Sequence, residues 1–279
     1  MKIAILSGKG GTGKTFLAVN LAASAKYSTI IDCDVEEPNV HLFLKTENTS
    51  TKNVSVKIPY VLEQLCDGQR KCVDFCRYNA LAYIDNQLIV MDNLCHSCGG
   101  CLLVCPNKAL KEKNKVIGEI SSGKIKQINV LSGFLKPGEA TGVPIIKELL
   151  DDSNAFEGLK FIDCPPGSSC SVIESIKSAD FCLLVTEPTI LGAFNLKTIY
   201  ELTKLFNKPC AVVINKSEKK TNPAQLFCRQ NKITILENIL FDRTMNDISS
   251  IGKVLVWENK RYLKLFTNLL NNLVLEARK

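Results

Sequence analysis

Between Leu6 and Phe16 the chain runs Ser7-Gly8-Lys9-Gly10-Gly11-Thr12-Gly13-Lys14-Thr15, and few folds accommodate such a segment. Before it, Lys2 to Leu6 is a short apolar run of buried-strand type. After it, Leu17, Val19, Leu21 and Ala22 recur with a helical pattern. Strand, G-x4-G-K-T and helix, in that order, make a loop for nucleotide phosphates. Glycines let backbone N–H groups curl around phosphate oxygens with no Cβ in the way, and the helix N-terminus adds its partial positive charge. Lys14 can reach the terminal phosphates, and the Thr15 hydroxyl is placed to hold Mg²⁺. The predicted nucleotide-binding set is therefore Gly8, Lys9, Gly10, Gly11, Thr12, Gly13, Lys14 and Thr15.

The rest of the chain alternates apolar runs with helical patterns. Thr29 to Asp34 and Leu159 to Asp163 both end in carboxylates, and the second leads into Cys164-Pro165-Pro166-Gly167. Phe181 to Thr186 and Cys210 to Asn215 are strands of the buried parallel type, with a helical pattern from Ala193 to Phe206 between them. This alternation predicts an α/β fold, a doubly wound and mostly parallel sheet that binds ligands outside the carboxyl ends of its strands. At 279 residues there is one large domain or two ordinary ones. A net charge of +7, from 35 basic against 28 acidic residues, is too mild and dispersed to predict nucleic-acid binding. No apolar run approaches the ~18 residues of a membrane span, and no signal peptide precedes the loop, so the expected location is cytoplasmic.

Lys9 narrows the choice. A second lysine inside the loop resembles the deviant Walker A motif of the MinD/ParA/nitrogenase iron protein class of P-loop ATPases. That resemblance implies ATP with Mg²⁺ as ligands, and a homodimer with ATP at the interface in which Lys9 acts on the partner's nucleotide. It also implies roles for residues already singled out. Asp34 matches the switch I aspartate that positions the attacking water, and Asp163 matches the Walker B aspartate near Mg²⁺. Gly167 falls in the switch II position, and Asn215 matches the residue that contacts adenine. The catalytic residues carried over in this way are Lys9, Lys14, Asp34 and Asp163.

An uninterrupted α/β domain has no use for what lies in the middle. Of 13 cysteines, seven fall between Cys66 and Cys105. They form Cys66-x5-Cys72-x3-Cys76 and Cys95-x2-Cys98-x2-Cys101-x3-Cys105-Pro106. The second is the bacterial ferredoxin pattern, in which three close thiolates wrap one cubane and the fourth serves the other cluster. Zinc sites use one or two C-x2-C pairs rather than a run of four. Cys66, Cys72 and Cys76 each recur 29 residues later as Cys95, Cys101 and Cys105. The partner of Cys98 in this repeat is Gln69, a poor iron ligand. One site thus has four thiolates, from Cys76, Cys95, Cys98 and Cys101, and is predicted to hold a [4Fe–4S] cluster. The other has Cys66, Cys72 and Cys105 only. It is expected to hold a [3Fe–4S] cluster, a [4Fe–4S] cluster with one labile iron, or none. The whole chain resembles MinD-superfamily P-loop ATPases with an inserted two-cluster ferredoxin domain. The ATPase domain is assigned to residues 1–57 and 116–279, and a small α+β ferredoxin-like insert to 58–115.

Outside the insert, Cys182 and Cys210 read as core fillers. Cys170, seven residues beyond Asp163, stands where the iron protein's resemblance places a ligand of a subunit-bridging cluster; the other reading is a structural or partner-facing thiol. His96 reads as a neighbour of the four-thiolate site rather than a ligand. Lys108, Lys111, Lys113 and Lys115 form either an ordinary solvated surface or a docking face for an acidic redox partner. Leu263, Phe266, Leu269, Leu270 and Leu273 make an amphipathic pattern expected to pack on the sheet. The expected function is an ATPase whose nucleotide state gates the iron–sulfur module for electron transfer to a partner protein. The alternatives are a carrier ATPase delivering a labile cluster to an acceptor, and a positioning or partition ATPase with sensing or structural clusters.

Overall fold

The structure is a computed structural model that describes residues 1–218 and 220–279. The chain begins with β1 (Lys2–Leu6), α1 (Lys14–Ser24), β2 (Ser28–Asp32), α2 (Val40–Phe43) and β3 (Glu47–Val61). The cysteine-rich stretch follows, with α3 (Lys71–Phe75), β4 (Leu81–Ile84), β5 (Gln87–Val90) and α4 (Gly100–Val104). Then come β6 (Leu110–Ile125), β7 (Ile128–Leu135), α5 (Val143–Asp152), β8 (Leu159–Asp163) and α6 (Cys170–Lys177). The remainder is β9 (Phe181–Thr186), α7 (Ile190–Leu205), β10 (Cys210–Ser217), α8 (Pro223–Gln230), β11 (Ile235–Leu240), α9 (Arg243–Ser250), α10 (Leu255–Glu258) and α11 (Lys260–Glu276).

Nine described strands form one sheet in the order β11-β10-β9-β1-β8-β2-β7-β6-β3. The strands from β11 to β7 run parallel, and β6 and β3 are antiparallel additions at one edge. The buried parallel strands are apolar throughout, because helices cover both faces. One face carries a core from α1, α9, α10 and α11, including Leu17, Leu21, Phe266 and Leu269; the other packs α5 to α8 with Ile146, Leu149, Leu196 and Ile199. The C-terminal pattern is α11, with Phe266, Leu269, Leu270 and Leu273 buried and Leu263 exposed. No described helix is long and apolar enough to cross a membrane.

The edge hairpin decides where the cysteines go. β6 pairs with β7 from Ile125 to Gly118, which faces Leu135 at that strand's carboxyl end. There β7 stops, but β6 continues to Leu110, paired only with β3 as far as Val61. The seven pairs from Ser55–Val61 to Leu110–Val116 make a stalk roughly 20 Å long at about 3.3 Å per residue. Pro59 is tolerated because β3 is an edge strand. The stalk points past the carboxyl edge, the end at which parallel sheets bind ligands. Its unbroken pairing runs through both expected insert boundaries, at 58 and 115, so the backbone crosses them as continuous strand.

The unit at the tip repeats itself. Its two single-turn 3₁₀ segments, Glu63–Leu65 and Asp92–Leu94, lie 29 residues apart, as do α3 and α4 and the first residues of β4 and β6. Two backbone hydrogen bonds exchange reciprocally, Leu62 N–H to the Ala109 carbonyl (2.7 Å) and Met91 N–H to the Ala80 carbonyl (2.8 Å). Each is the other's image under the 29-residue offset, which is a pseudo-twofold axis. The unit's own buried core is Cys72, Leu81, Cys101 and Leu110, far too little apolar burial to hold a segment of this length by itself.

The ring of Phe266 is fully buried and meets Phe16 edge-on at 5.8 Å, clamping α11 onto the helix that follows the phosphate loop. Phe266→Ala should cost about 3–5 kcal/mol and lower the midpoint of thermal unfolding by roughly 10 °C; an unchanged midpoint would contradict this packing account.

Candidate functional site

The phosphate loop joins β1 to α1 and is shaped by contacts that leave little choice of residue. Gly11 and Gly13 have φ of +76° and +97°, in the left-handed region. A Cβ on Gly13 would lie 2.4 Å from the Asn215 amide nitrogen. That amide donates to the Thr12 carbonyl (2.8 Å), so the end of β10 supports the loop from behind. A Cβ on Gly8 would strike the Asn195 carbonyl at 2.5 Å, so α7 closes on the loop's other side. The Gly167 N–H donates to the Ser7 carbonyl (2.9 Å), which ties the segment after β8 to the loop.

Lys14, Asp34 and Asp163 converge from α1, the turn after β2 and the end of β8 at the carboxyl edge. Lys14 and Asp163 are buried, and Asp34 is half-buried. Burial pushes the Asp163 carboxyl up to about 6, with Lys14 opposing. Burial likewise raises Asp34 to about 6, against the pull of Lys14 and with Glu37 and Glu36 adding to the rise. Among the described residues, both Asp163 oxygens and the Thr12 hydroxyl are buried with no hydrogen-bond partner. Orphaned carboxylate oxygens beside a phosphate loop are what a cation site requires. The buried oxygens at this edge fit a magnesium ion. Asp32 differs. Its carboxylate accepts from Asn39 and Val40 N–H (2.9 Å each) and anchors the loop after β2.

Lys9 makes a contact that the sequence does not announce. It pairs with Glu187 at 2.5 Å, and Lys216 pairs with the other oxygen of the same carboxylate at 2.8 Å while donating to the Gly11 carbonyl at 2.8 Å. Glu187 follows the last residue of β9, and its place at the carboxyl end of a parallel strand was the available signal. Beyond Asn215 a cavity of ≈ 130 Å³, with Gly13, Phe16, Phe241 and Met245 among its lining residues, offers room beside the loop for a planar base.

At the stalk tip, Cys76, Cys95, Cys98 and Cys101 all line one cavity of ≈ 220 Å³, with Phe75 and His96 on its wall. These are the four cysteines grouped from the sequence repeat. Among the described residues, no three Cys, His, Asp or Glu side chains converge on a single ion. Thiolates ringed around a cavity suit a multi-atom cluster, whereas four sulfurs on one zinc ion, at about 2.3 Å each, would nearly touch. Cys101 is pushed up to about 11 by burial and by the neighbouring Cys95 and Cys98 thiols, a crowding of sulfur that a bound cation reverses. The Cys95 sulfur accepts from Ser97 N–H (3.4 Å), and His96 stacks on Tyr78 at 3.8 Å. The donor set fits an iron–sulfur cluster, and all thirteen cysteines are free of disulfides.

Cys66, Cys72 and Cys105 gather on the other side of the pseudo-twofold, where burial and the thiols of Cys105 and Cys66 raise Cys72. The Cys105 sulfur accepts from Ala109 N–H (3.3 Å). Gln69 is exposed, its amide donating to Asp67 at 2.5 Å. Cys170 is exposed at the start of α6 and does not line the four-cysteine cavity. The expected row of four basic residues is reduced: Lys113 pairs with Asp92 (2.9 Å) and Lys115 with Glu139 (2.7 Å), leaving Lys108 and Lys111 outside these pairs.

Comparison with known proteins identifies the family and the fold. Residues 3–256 match the model of the CobQ/CobB/MinD/ParA nucleotide binding domain. An uncharacterised protein of Methanocaldococcus jannaschii is 30% identical over 221 residues, covering 77% of this chain and 80% of its own. An iron–sulfur cluster carrier protein of Pyrococcus horikoshii is 25% identical over 305 residues, covering 98% and 85%. The cell division ATPase MinD of Pyrococcus furiosus shares the fold, with a TM-score of 0.62 at 16% identity over 98% of this chain and 97% of that one.

The Asp163 carboxyl gives a pH prediction. Its pKa is about 6 in the folded state, above the ordinary 3.8, so the native state binds the extra proton between these values and stability falls as pH rises through them. Above pH 6 the full penalty, about 3 kcal/mol at most, is present. Asp163→Asn should therefore raise the nucleotide-free unfolding temperature at pH 8, with the gain shrinking towards pH 4, while Mg-ATP loses its stabilising effect on the variant. A variant less stable than the parent at pH 8 would contradict the assignment.

Proposed function

The chain belongs to the CobQ/CobB/MinD/ParA nucleotide-binding family, and from that premise we propose that it hydrolyses ATP as a homodimer whose nucleotide state gates an inserted ferredoxin-type iron–sulfur module for electron transfer to a partner protein. The observation that carries this reading is positional. The cavity lined by Cys76, Cys95, Cys98 and Cys101 stands on a stalk over the same sheet edge that holds the phosphate loop, Asp34 and Asp163.

The residues divide the work. Backbone N–H groups from Gly8 to Thr15 bind the phosphates, with Lys14 against their charge and Thr15 and Asp163 holding magnesium. Asp34, ionised above a pKa of about 6, accepts a proton from the attacking water and orients it. Lys9 is held by Glu187 in the single chain, so reaching a partner's nucleotide requires that pair to break. Closing of the dimer thus competes with an internal ion pair, and ATP favours closure only through its differential affinity for the closed state. In the insert, Cys76, Cys95, Cys98 and Cys101 hold a [4Fe–4S] cluster, and Cys66, Cys72 and Cys105 hold a second, less completely ligated one. Such clusters supply one-electron transfer when bound.

A second reading, delivery of a cluster to an acceptor protein, draws on two observations. Gln69, at the position of an eighth cysteine, is turned to Asp67, and a relative aligned with 98% of the chain bears the name iron–sulfur cluster carrier protein.

Anaerobic purification followed by iron and sulfide analysis tests the proposal. At least about four irons per chain are expected, with Cys98→Ser losing the four-iron spectrum and Lys14→Ala losing ATP hydrolysis at full iron content. Iron-free protein after reconstitution would overturn the electron-transfer reading. Reduction by dithionite and ATP-dependent oxidation by a partner distinguish it from delivery, which instead moves iron and sulfide to an apo-acceptor.

A further inference from the structure

The stalk brings one charged side chain into the gap between the two sites. Lys115, in β6, is largely buried, and all three of its N–H donors are used. They go to the Asp92 carbonyl (3.1 Å), the Asn93 side-chain oxygen (2.8 Å) and the Glu139 carboxylate (2.7 Å). Asp92 and Asn93 form the 3₁₀ turn that leads into Cys95, and the Cys95 N–H itself donates to the same Asp92 carbonyl. Lys113 holds the Asp92 carboxylate from the stalk as well. Glu139, also largely buried, belongs to the loop between β7 and α5, on the ATPase side.

That loop rests on switch I. The Leu135 N–H donates to the Val35 carbonyl (2.8 Å), and the Lys136 N–H to the Ile117 carbonyl at the base of the stalk (2.9 Å). Val35 follows Asp34 directly, and its side chain leaves no room for a Cβ on Gly142, which would fall 2.2 Å away, or on Gly133, at 2.7 Å. Val35 is thus packed against the backbone of Gly133 in β7 and of Gly142 in the loop that carries Glu139. The contacts are continuous from Asp34 through Val35, the 136–142 loop, Glu139 and Lys115 to the turn before Cys95. A part-buried ion pair between the sites still desolvates two charges, and well-packed apolar residues add stability as well or better. It is suited to holding one arrangement among several.

We propose that Lys115 is the positioning residue through which the state of the switch I loop reaches the four-thiolate site. This rests on the reading that nucleotide gates the iron–sulfur module, and adds to it the route. When Asp34 closes on a nucleotide, Val35 moves the 136–142 loop, Glu139 moves with it, and Lys115 transmits the change to the Asp92 carbonyl and the Cys95 N–H. The test reads the nucleotide-induced difference rather than the resting state.

The experiment uses anaerobically purified full-length protein, reduced with dithionite, with and without a non-hydrolysable ATP analogue and Mg²⁺. Two readouts are taken: the electron paramagnetic resonance line shape and hydrogen exchange of the 92–98 amides. The variants are Lys115→Arg, Lys115→Met, and the double substitution Lys115→Met/Glu139→Met, which leaves no lone charge in the gap. The wild type is expected to change in both readouts on binding the analogue, and Lys115→Arg to keep that change. Lys115→Met and the double variant are expected to lose it while retaining wild-type iron content and analogue affinity. A wild type that responds beside neutral variants that respond equally overturns the role of Lys115 and leaves gating standing. A wild type that binds the analogue with no change in either readout overturns gating, and the route with it. Loss of iron in both neutral variants, with Lys115→Arg fully loaded, assigns Lys115 to holding the insert together and likewise overturns the coupling role.

Discussion

The register between β6 and β7 sets everything that follows. Had β7 run as far as β6, the edge hairpin would be an ordinary extension of the sheet. Because β7 ends at Leu135, opposite Gly118, the hairpin runs on unsupported and lifts the cysteines over the carboxyl edge. A Cβ on Gly118 would lie 2.2 Å from the Phe134 carbonyl, so the strand crosses its neighbour at a point where only glycine fits. Parallel sheets collect ligands at that edge, and the stalk brings a second site to it.

The two sites are incomplete in a related physical sense. The nucleotide end keeps buried carboxylate oxygens on Asp163 without partners and carboxyl groups raised towards neutrality by burial. The stalk tip keeps crowded thiols, with Cys101 raised for the same reason, around a core of four buried side chains. Each arrangement costs stability by itself, and on the proposed reading a bound cation at either end would offset that cost and link ligand binding to local order. In the tip unit this linkage extends to folding, since its own apolar core is small.

Much of this was legible in the sequence because it depends on local spacing. The strand–loop–helix around Gly8 to Thr15 needs particular residues at fixed offsets, and so does the run from Cys95 to Cys105. The 29-residue offset grouped Cys76 with Cys95, Cys98 and Cys101, and those four line one cavity. What stayed hidden depends on long-range placement. The sequence offered Lys113 and Lys115 as part of a basic face, yet strand register turns them onto Asp92 and Glu139. The strand-end position of Glu187 marks it as a site residue, but its pairing with Lys9 depends on β9 lying next to β1 and was not legible. The pairing that carries the cysteines is long-range in the same way: a composition shift marks them, whereas β3 and β6, which flank them, belong to the large sheet.

The central claim is that nucleotide at the sheet edge is felt at the stalk tip. Its most direct test is the reduction potential of the proposed cluster, measured by anaerobic redox titration of the wild type with no nucleotide, with Mg-ADP and with a Mg-bound non-hydrolysable ATP analogue. The account predicts that the analogue shifts the potential of the four-thiolate site away from its nucleotide-free value. Potentials that coincide in all three states, with the analogue shown to be bound, would contradict it.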